Sequence, residues 1–543
     1  MKVFFLFLLF FLSLLISCKY DSTQIISGAK NISLLNLQLD GKPFSYFYTN
    51  TSLAPKIIIS FSEPIDHQSA QNFILINSGY VSLSYTFSNL DSTVTVLPVN
   101  PLKYFTKYTL QIQSGLTSST QKKLGLDITV SISTQIDPTP KFPAISDTVL
   151  INLVQQQTLK YFYDFGHPAS GLARERNTSG DIVTTGGSGF GLMALVVGIN
   201  RGFIPRAEGI ARFNKIISFL EKADRFHGAW PHWMDGNTGK VVPFSTNDNG
   251  ADLVETSFMM QGLFCVRQYL TSTDTVGNNL INRINNLWRA VEFDWFRQNN
   301  QNVLYWHWSP NKGWIMNFPI HGYNEALIVY ILAAGSPTHA IPIDVYQQGW
   351  AQNGSVKNGK TFYGHMLPVG QDYGGPLFFT HYSFLGFDPH TSDQYANYWT
   401  QNVNHALINH DYCAANPKKF VAYADNCWGL TASDNPTGYD AQSPTNDNGT
   451  VTPTAAISSM PYTPTQSMNA IKFFYYTLGD RMWGQYGFYD SFNITQGWTA
   501  TSTLAIDQGP IVVMLENYRT GLLWKLFMSA PEVQAAKVKL GFN

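Results

Sequence analysis

Three carboxylates share one stretch of this chain, Thr246-Asn-Asp-Asn-Gly-Ala-Asp-Leu-Val-Glu-Thr256. Asp248, Asp252 and Glu255 lie four and three residues apart, so a helix starting near Asn249 would carry all three on one face. Like charges at that spacing weaken a helix by roughly a few tenths of a kcal/mol per pair. The dipole at a helix N-terminus offsets part of that cost. A solvated, capped helix start accounts for such a trio as well as a catalytic wall does. The flank tips the balance. His227-Gly-Ala-Trp-Pro-His-Trp233 places Trp230 and His232 just upstream, an aromatic and imidazole cluster that a surface helix does not need.

A second group of candidates follows in Tyr305-Trp-His-Trp-Ser-Pro310 and Gly322-Tyr-Asn-Glu325. Glu325 opens an apolar helix beside Tyr323 and near Trp306 and Trp308. Burial there would raise its pKa, as a general acid needs, whereas a helix-start dipole would lower it. The sequence leaves both open. Further on, His381 and Tyr382 sit in an aromatic run, Asp507 opens a helix, and Arg174 belongs to a polar loop. Asp447 lies in Thr445-Asn-Asp-Asn-Gly449, a copy of Thr246 to Gly250. That echo is either a shared rim of one site or chance among Asn/Gly-rich loops. Paired carboxyl groups flanking a glycosidic bond are the usual device for hydrolysing it. Trp and Tyr offer flat apolar faces to sugar rings, so carboxylates among aromatics point to a glycan site.

Composition agrees. Lys+Arg 35 against Asp+Glu 36 leaves the chain almost neutral, which excludes nucleic-acid binding by phosphate neutralisation. Charged residues are 13% and aromatics 14%, the balance of a large packed fold with a neutral, aromatic-lined site. No Gly-x-Ser-x-Gly elbow, His-Glu-x-x-His motif or P-loop occurs. No spacing suggests a metal site, and no cofactor is expected.

Residues 1–18 read as a lipoprotein signal peptide. Lys2 precedes an apolar run that is too short for a comfortable span and ends Leu15-Ile-Ser-Cys18. Cys18 is the expected lipidation site, which makes the mature protein a body tethered to the cell envelope, with the outer membrane favoured because Lys19 rather than Asp follows. Residues 19–30 read as a tether. Short alternating runs over 31–136 predict an Ig-like β-sandwich of about seven strands. Residues 137–146 form a proline-rich linker. Residues 147–543 read as many 12–18-residue helices joined by long decorated loops, without β-runs between them, which favours a toroid of paired helices over a parallel α/β fold. Of the remaining cysteines, Cys265 reads as a buried apolar residue, while Cys413 and Cys427 could pair.

Over roughly residues 145–543 the chain resembles glycoside hydrolase family 144, bacterial proteins broadly described as "putative glucoamylase". The motifs that carry the resemblance are Asp181-Ile-Val-Thr-Thr-Gly-Gly-Ser-Gly-Phe-Gly191, Glu221 to Trp233, Asp248-x3-Asp252-x2-Glu255, Tyr305 to Pro310, Gly322 to Glu325, Phe378-Phe-Thr-His-Tyr-Ser-Phe-Leu-Gly386 and Ile506-Asp-Gln-Gly-Pro510. The resemblance implies a mainly α, six-fold (α/α) toroid that cuts β-1,2-glucan internally or releases sophorose from its non-reducing end. It implies Asp248, Asp252, Glu255 and Glu325 as the acidic positions, and a monomer acting on an oligo- or polysaccharide without cofactor or metal. The expected mechanism is inverting, with Glu325 as acid, Asp252 first among the candidate bases, and Asp447 and Asp507 behind it. Trp230, His232, Trp306, Trp308, Tyr323, His381, Tyr382, Arg174, Asp507 and Asp447 are the expected substrate contacts. Two other readings stand beside this one. One is a non-catalytic glycan-binding lipoprotein; the other is a polysaccharide lyase using Tyr382 and His381.

Overall fold

The computed structural model describes residues 31–270 and 275–543, which divide into two compact units at Gln135/Ile136. Cys18 lies outside the described residues.

In the first unit, alternation dictates two four-stranded sheets. Ile57–Phe61 points Ile57, Ile59 and Phe61 inward and leaves Ile58 and Ser60 partly exposed. It pairs with Leu34–Leu39 on one side and Thr93–Pro98 on the other, and Leu83–Ser88 completes the sheet. The second sheet runs Phe47–Thr51, Ile128–Thr134, Lys107–Ile112, Ile74–Ile76, with its first pair parallel. Leu37, Ile57, Ile59, Val94, Leu110, Ile112, Val130 and Ile132 form a dry core. The described residues of this unit hold eight strands, one more than the turn spacing suggested, because the three-residue strand Ile74–Ile76 follows directly on the helix His67–Phe73.

The second unit is mostly helical. Its helices fall into two kinds. Thr185–Asn200, Leu253–Tyr269, Leu327–Gly335 and Ala505–Thr520 are buried around nearly their whole circumference. Asp147–Tyr163, Arg206–Leu220, Thr275–Arg289, Tyr398–Ala415, Pro464–Lys472 and Pro531–Leu540 bury one face and wet the other. Such two-faced helices cover the buried ones. The tightest crossing joins Thr185–Asn200 to Leu253–Tyr269, where two glycines bring the backbones together. A Cβ on Gly189 would lie 2.2 Å from the Phe258 carbonyl oxygen, and one on Gly262 would lie 2.1 Å from that of Gly189.

Several boundaries differ from the sequence expectation. The Ala505–Thr520 helix begins five residues before Pro510, which sits inside it rather than at its start. The helix Tyr398–Ala415 is capped by Asn397. Short strands interrupt the helices: Ile182–Thr184, Trp233–Asp235 and Val241–Val242 form one sheet, and Ala251–Asp252 pairs with His307–Trp308. Two or three residues per strand leave no period to read. The segment read as a linker lies against the helical unit: Phe142 stacks on Tyr475 at 4.4 Å, and the Lys141 amide donates to the Tyr476 carbonyl at 2.7 Å. Cys413 and Cys427 are buried free thiols, not a disulfide. No described helix is long and apolar enough to cross a membrane.

Candidate active site

The buried helices bring their N-terminal ends and the short strands together, and the carboxylates collect there. Asp252 ends the strand Ala251–Asp252 and caps the following helix, its Oδ1 accepting the Glu255 amide at 2.9 Å. Its Oδ2 accepts from His232 Nδ1 at 3.0 Å. Strand pairing sets His307 directly opposite Asp252, with His307 Nε2 3.7 Å from Asp252 Oδ2 and 3.6 Å from Asp248 Oδ2. Glu255, one turn on, accepts the Gly186 amide at 2.6 Å and so ties two helix starts together. The expected shared face is therefore real in part: Asp252 and Glu255 are on the helix start, whereas Asp248 reaches the cluster from the loop before it.

The electrostatics separate these groups. Burial pushes the Asp252 carboxyl up, but the His232 hydrogen bond and the His307 imidazole outweigh it and hold Asp252 below the ordinary carboxylate range. Burial and the Asp252 charge lift Asp248 to about 7. Burial also raises Glu255, although His232 and the Gly186 amide oppose it. His232 is pushed down by burial, yet the charges of Glu255 and Asp252 raise it to about 9. Asp252 thus stays ionised beside a His232 imidazolium near neutral pH.

Glu325 precedes the helix Leu327–Gly335, and its carbonyl accepts from Ser383 Oγ. Burial, then the charges of Glu255 and Asp252, lift its carboxyl to about 7. Desolvation wins over the helix dipole, and Glu325 joins the cluster from a third helix start.

Asp507 belongs to a second acidic group. It lies in the first turn of Ala505–Thr520, fully buried beside Asp490, and neither of its carboxyl oxygens has a hydrogen-bond partner among the described residues. Burial and the Asp434 charge raise Asp490 to about 7; burial and the Asp490 charge push Asp507 well above its ordinary range. The Asp434 amide donates to Asp490 at 2.7 Å, and Arg176 donates to both Asp434 oxygens at 3.2 Å. Tyr382 lies within electrostatic reach of both groups. Burial, and then Asp507, Glu325 and Glu255 among its neighbours, push its phenol well above 10.

Other expected contacts sit elsewhere. Trp230 is wholly buried, its indole donating to the Leu220 carbonyl, because it plugs the core beneath the cluster. Tyr323 is buried and donates to Asn402 at 2.7 Å. His381 is buried against Ser459, and desolvation drops it to about 3. Arg174 stacks over Phe165 and donates to its carbonyl. Asp447 accepts from Tyr412 and Tyr423 in a turn, so the repeated pentapeptide marks two loops of unlike role. Trp306 and Trp308 are partly exposed beside His307. Phe244, half exposed, packs on His232 at 4.4 Å. His307, Asp490, Asp434 and Arg176 were not singled out from the sequence. Only the Trp-His-Trp alternation hinted at the first, since it sets His307 on the opposite face from its neighbours.

Comparisons with known proteins bear on this arrangement. Residues 317–531 match the family described as "Putative glucoamylase", and 47–137 match the bacterial Ig-like domain. A solved "putative glucoamylase" from Bacteroides uniformis is 54% identical, with TM-score 0.73, covering 74% of this chain and 99% of its own. An endo-β-1,2-glucanase from Chitinophaga pinensis, solved with sophorotriose and glucose, is 56% identical, with TM-score 0.72 and the same coverage, 74% and 99%. An exo β-1,2-glucooligosaccharide sophorohydrolase (non-reducing end) from Parabacteroides distasonis is 47% identical over 420 residues, which are 73% of this chain and 58% of that protein. The chain belongs to this glucoamylase-like family: an Ig-like β domain followed by a mostly helical glucoamylase-like domain. It spans little more than half the length of the sophorohydrolase it matches.

Proposed function

We propose that the protein hydrolyses β-1,2-glucan or β-1,2-gluco-oligosaccharides, on a helical domain that closes as a six-fold (α/α) toroid. The observation that carries the reading is Glu325, a carboxyl lifted to about 7 by burial and by the nearby charges of Glu255 and Asp252. At neutral pH a large fraction keeps its proton for the leaving oxygen. The names of the two β-1,2-glucan-active relatives supply the substrate class.

In this reading Asp252 is a positioning residue. Both of its oxygens are engaged and it is wholly buried, so it has none left for water. The base is Asp507. Asp490 and Asp507 hold one proton between them, which leaves one carboxylate ionised, and Arg176 anchors Asp490 through Asp434. Glu325 and Asp507, both within electrostatic reach of Tyr382, then divide the work, the acid protonating the glycosidic oxygen and the base activating water on the far face of the sugar. His232 and Asp248 bond hydroxyls, and Phe244, Trp306 and Trp308 offer apolar faces. Attachment through a lipid on Cys18 places the enzyme at the cell envelope.

Incubation with β-1,2-glucan, followed by product sizing and absorbance for unsaturated ends, tests the reading. Saturated oligosaccharides support it, and their size distribution separates internal cleavage from sophorose release. Unsaturated ends would show a lyase, and unchanged polymer a binding protein.

A further inference from the structure

A two-stranded hairpin, Ala432–Asn435 and Gly438–Ala441, stands beside the Asp490–Asp507 group. Its strands differ in kind. The first is locked in place. The Asp434 amide donates to Asp490 at 2.7 Å, the Asp434 carboxylate accepts from Arg176 and from Ser502, and the Ser433 hydroxyl accepts from Thr452 at 2.7 Å. The second strand is exposed along its whole length. Asn446 still holds it, its amide donating at 3.0 Å both to Asp440 Oδ2 and to the Ala441 carbonyl. The hairpin is therefore a fixed shelf, tied to the acids by one strand and open to solvent along the other.

Tyr439 is the aromatic side chain of that open strand. The register sets it directly opposite Asp434, and such cross-strand partners share one face with Cβ atoms about 4.5–5.5 Å apart. Desolvation, then the charges of Asp507, Asp490 and Asp434, push its phenol well above 10. The ring thus stands next to all three aspartates, and its hydroxyl stays a neutral donor. Yet Tyr439 is 51% exposed, its ring stacks on no other ring, and its hydroxyl has no hydrogen-bond partner among the described residues. A lone exposed aromatic on an outer surface calls for no function. This one is held on a fixed strand beside a buried acid pair, with an open ring and an unbonded hydroxyl. Sugar recognition uses that pairing: an apolar face for the C–H groups and a polar tip for the hydroxyls.

We propose that Tyr439 is a substrate-binding residue whose ring seats a glucosyl unit on the Asp507 side of the site. The inference rests on the hydrolysis reading and extends it to a residue that no motif announces. Gly438-Tyr-Asp-Ala441 is an ordinary polar run in the sequence, and only the hairpin register brings it to the acids.

The test is steady-state hydrolysis of β-1,2-glucan by the wild type, Tyr439→Ala and Tyr439→Phe, with a thermal melt of each. A half-exposed side chain leaves little packing to lose, so all three should melt alike. Tyr439→Ala should raise KM at least about tenfold while kcat falls less than about threefold, the pattern of lost uniform binding. Tyr439→Phe keeps the ring and should return KM to within about threefold of wild type. An unchanged KM in Tyr439→Ala would overturn the proposal. So would a loss confined to kcat, a KM that Phe does not rescue, or a fall in melting temperature that tracks the lost activity. A wild type inert on β-1,2-glucan would refute the hydrolysis reading and this inference with it, whereas an active wild type indifferent to Tyr439 would refute this inference alone.

Discussion

Replacing Glu325 with Gln should cut activity and raise stability together. Burial and the neighbouring charges lift this carboxyl from 4.5 to about 7. At pH 6 that makes it about thirty times more protonated than an ordinary glutamate, a gain that serves an acid. The same shift weakens the fold. A carboxyl whose pKa is raised by folding costs nothing below about pH 4.5. The cost grows as pH climbs and levels off above about 7, at no more than about 3 kcal/mol. Glu325→Gln keeps the shape and removes the charge. Turnover of β-1,2-glucan should therefore drop by about 10²–10⁴. The variant should melt a few degrees higher than wild type at pH 8, and equally at pH 4. The basic limb of the wild-type kcat/KM profile should fall near pH 7 and vanish from residual activity in the variant. Reducing-end assays across pH 4–9 and thermal melts at both ends of that range measure all of this. Activity above a tenth of wild type, or a variant no more stable at pH 8, would refute the reasoning.

Other substitutions separate chemistry from scaffolding. Asp507→Asn should lower kcat by about 10²–10⁴ with KM little changed, measured by steady-state kinetics. Asp490→Asn should move the acidic limb of the pH profile, because it removes a charge that raises Asp507. Asp252→Ala removes a helix cap worth about 1 kcal/mol and strands His232, so both melting temperature and activity should fall. Gly189→Ala forces a methyl against the Phe258 carbonyl; overpacking of about 1–3 kcal/mol or more should appear as a lower melting temperature with the active-site residues untouched.

The sequence showed the two domains because their textures differ: period-two runs such as Ile57–Phe61 give way to long helices such as Asp147–Tyr163. It singled out Asp248, Asp252, Glu255 and Glu325 as candidates because acids beside Trp and His stand out in a chain so poor in charge. What it concealed is what only three dimensions supply. Trp230 reads like a sugar platform but is wholly buried, since burial is invisible in a motif. Asp252 reads like a base, yet its oxygens are taken by its own helix cap and by the His232 imidazole from the preceding segment. Asp490 carries no motif. Its meaning comes from Asp507, at the start of the next long helix, and from Arg176, which pairs with Asp434 across a sequence separation of 258 residues. Asp507 was read as opening a helix, and the helix begins two residues before it, at Ala505.

The account rests on two carboxyl groups acting from opposite faces of the sugar. The anomer first released from β-1,2-glucan tests that claim most directly, followed by proton NMR before mutarotation blurs it. Glu325 and Asp507 acting through water predict the α-anomer. A β-anomer as first product would mean retention through a covalent intermediate and would contradict the assignment of Asp507.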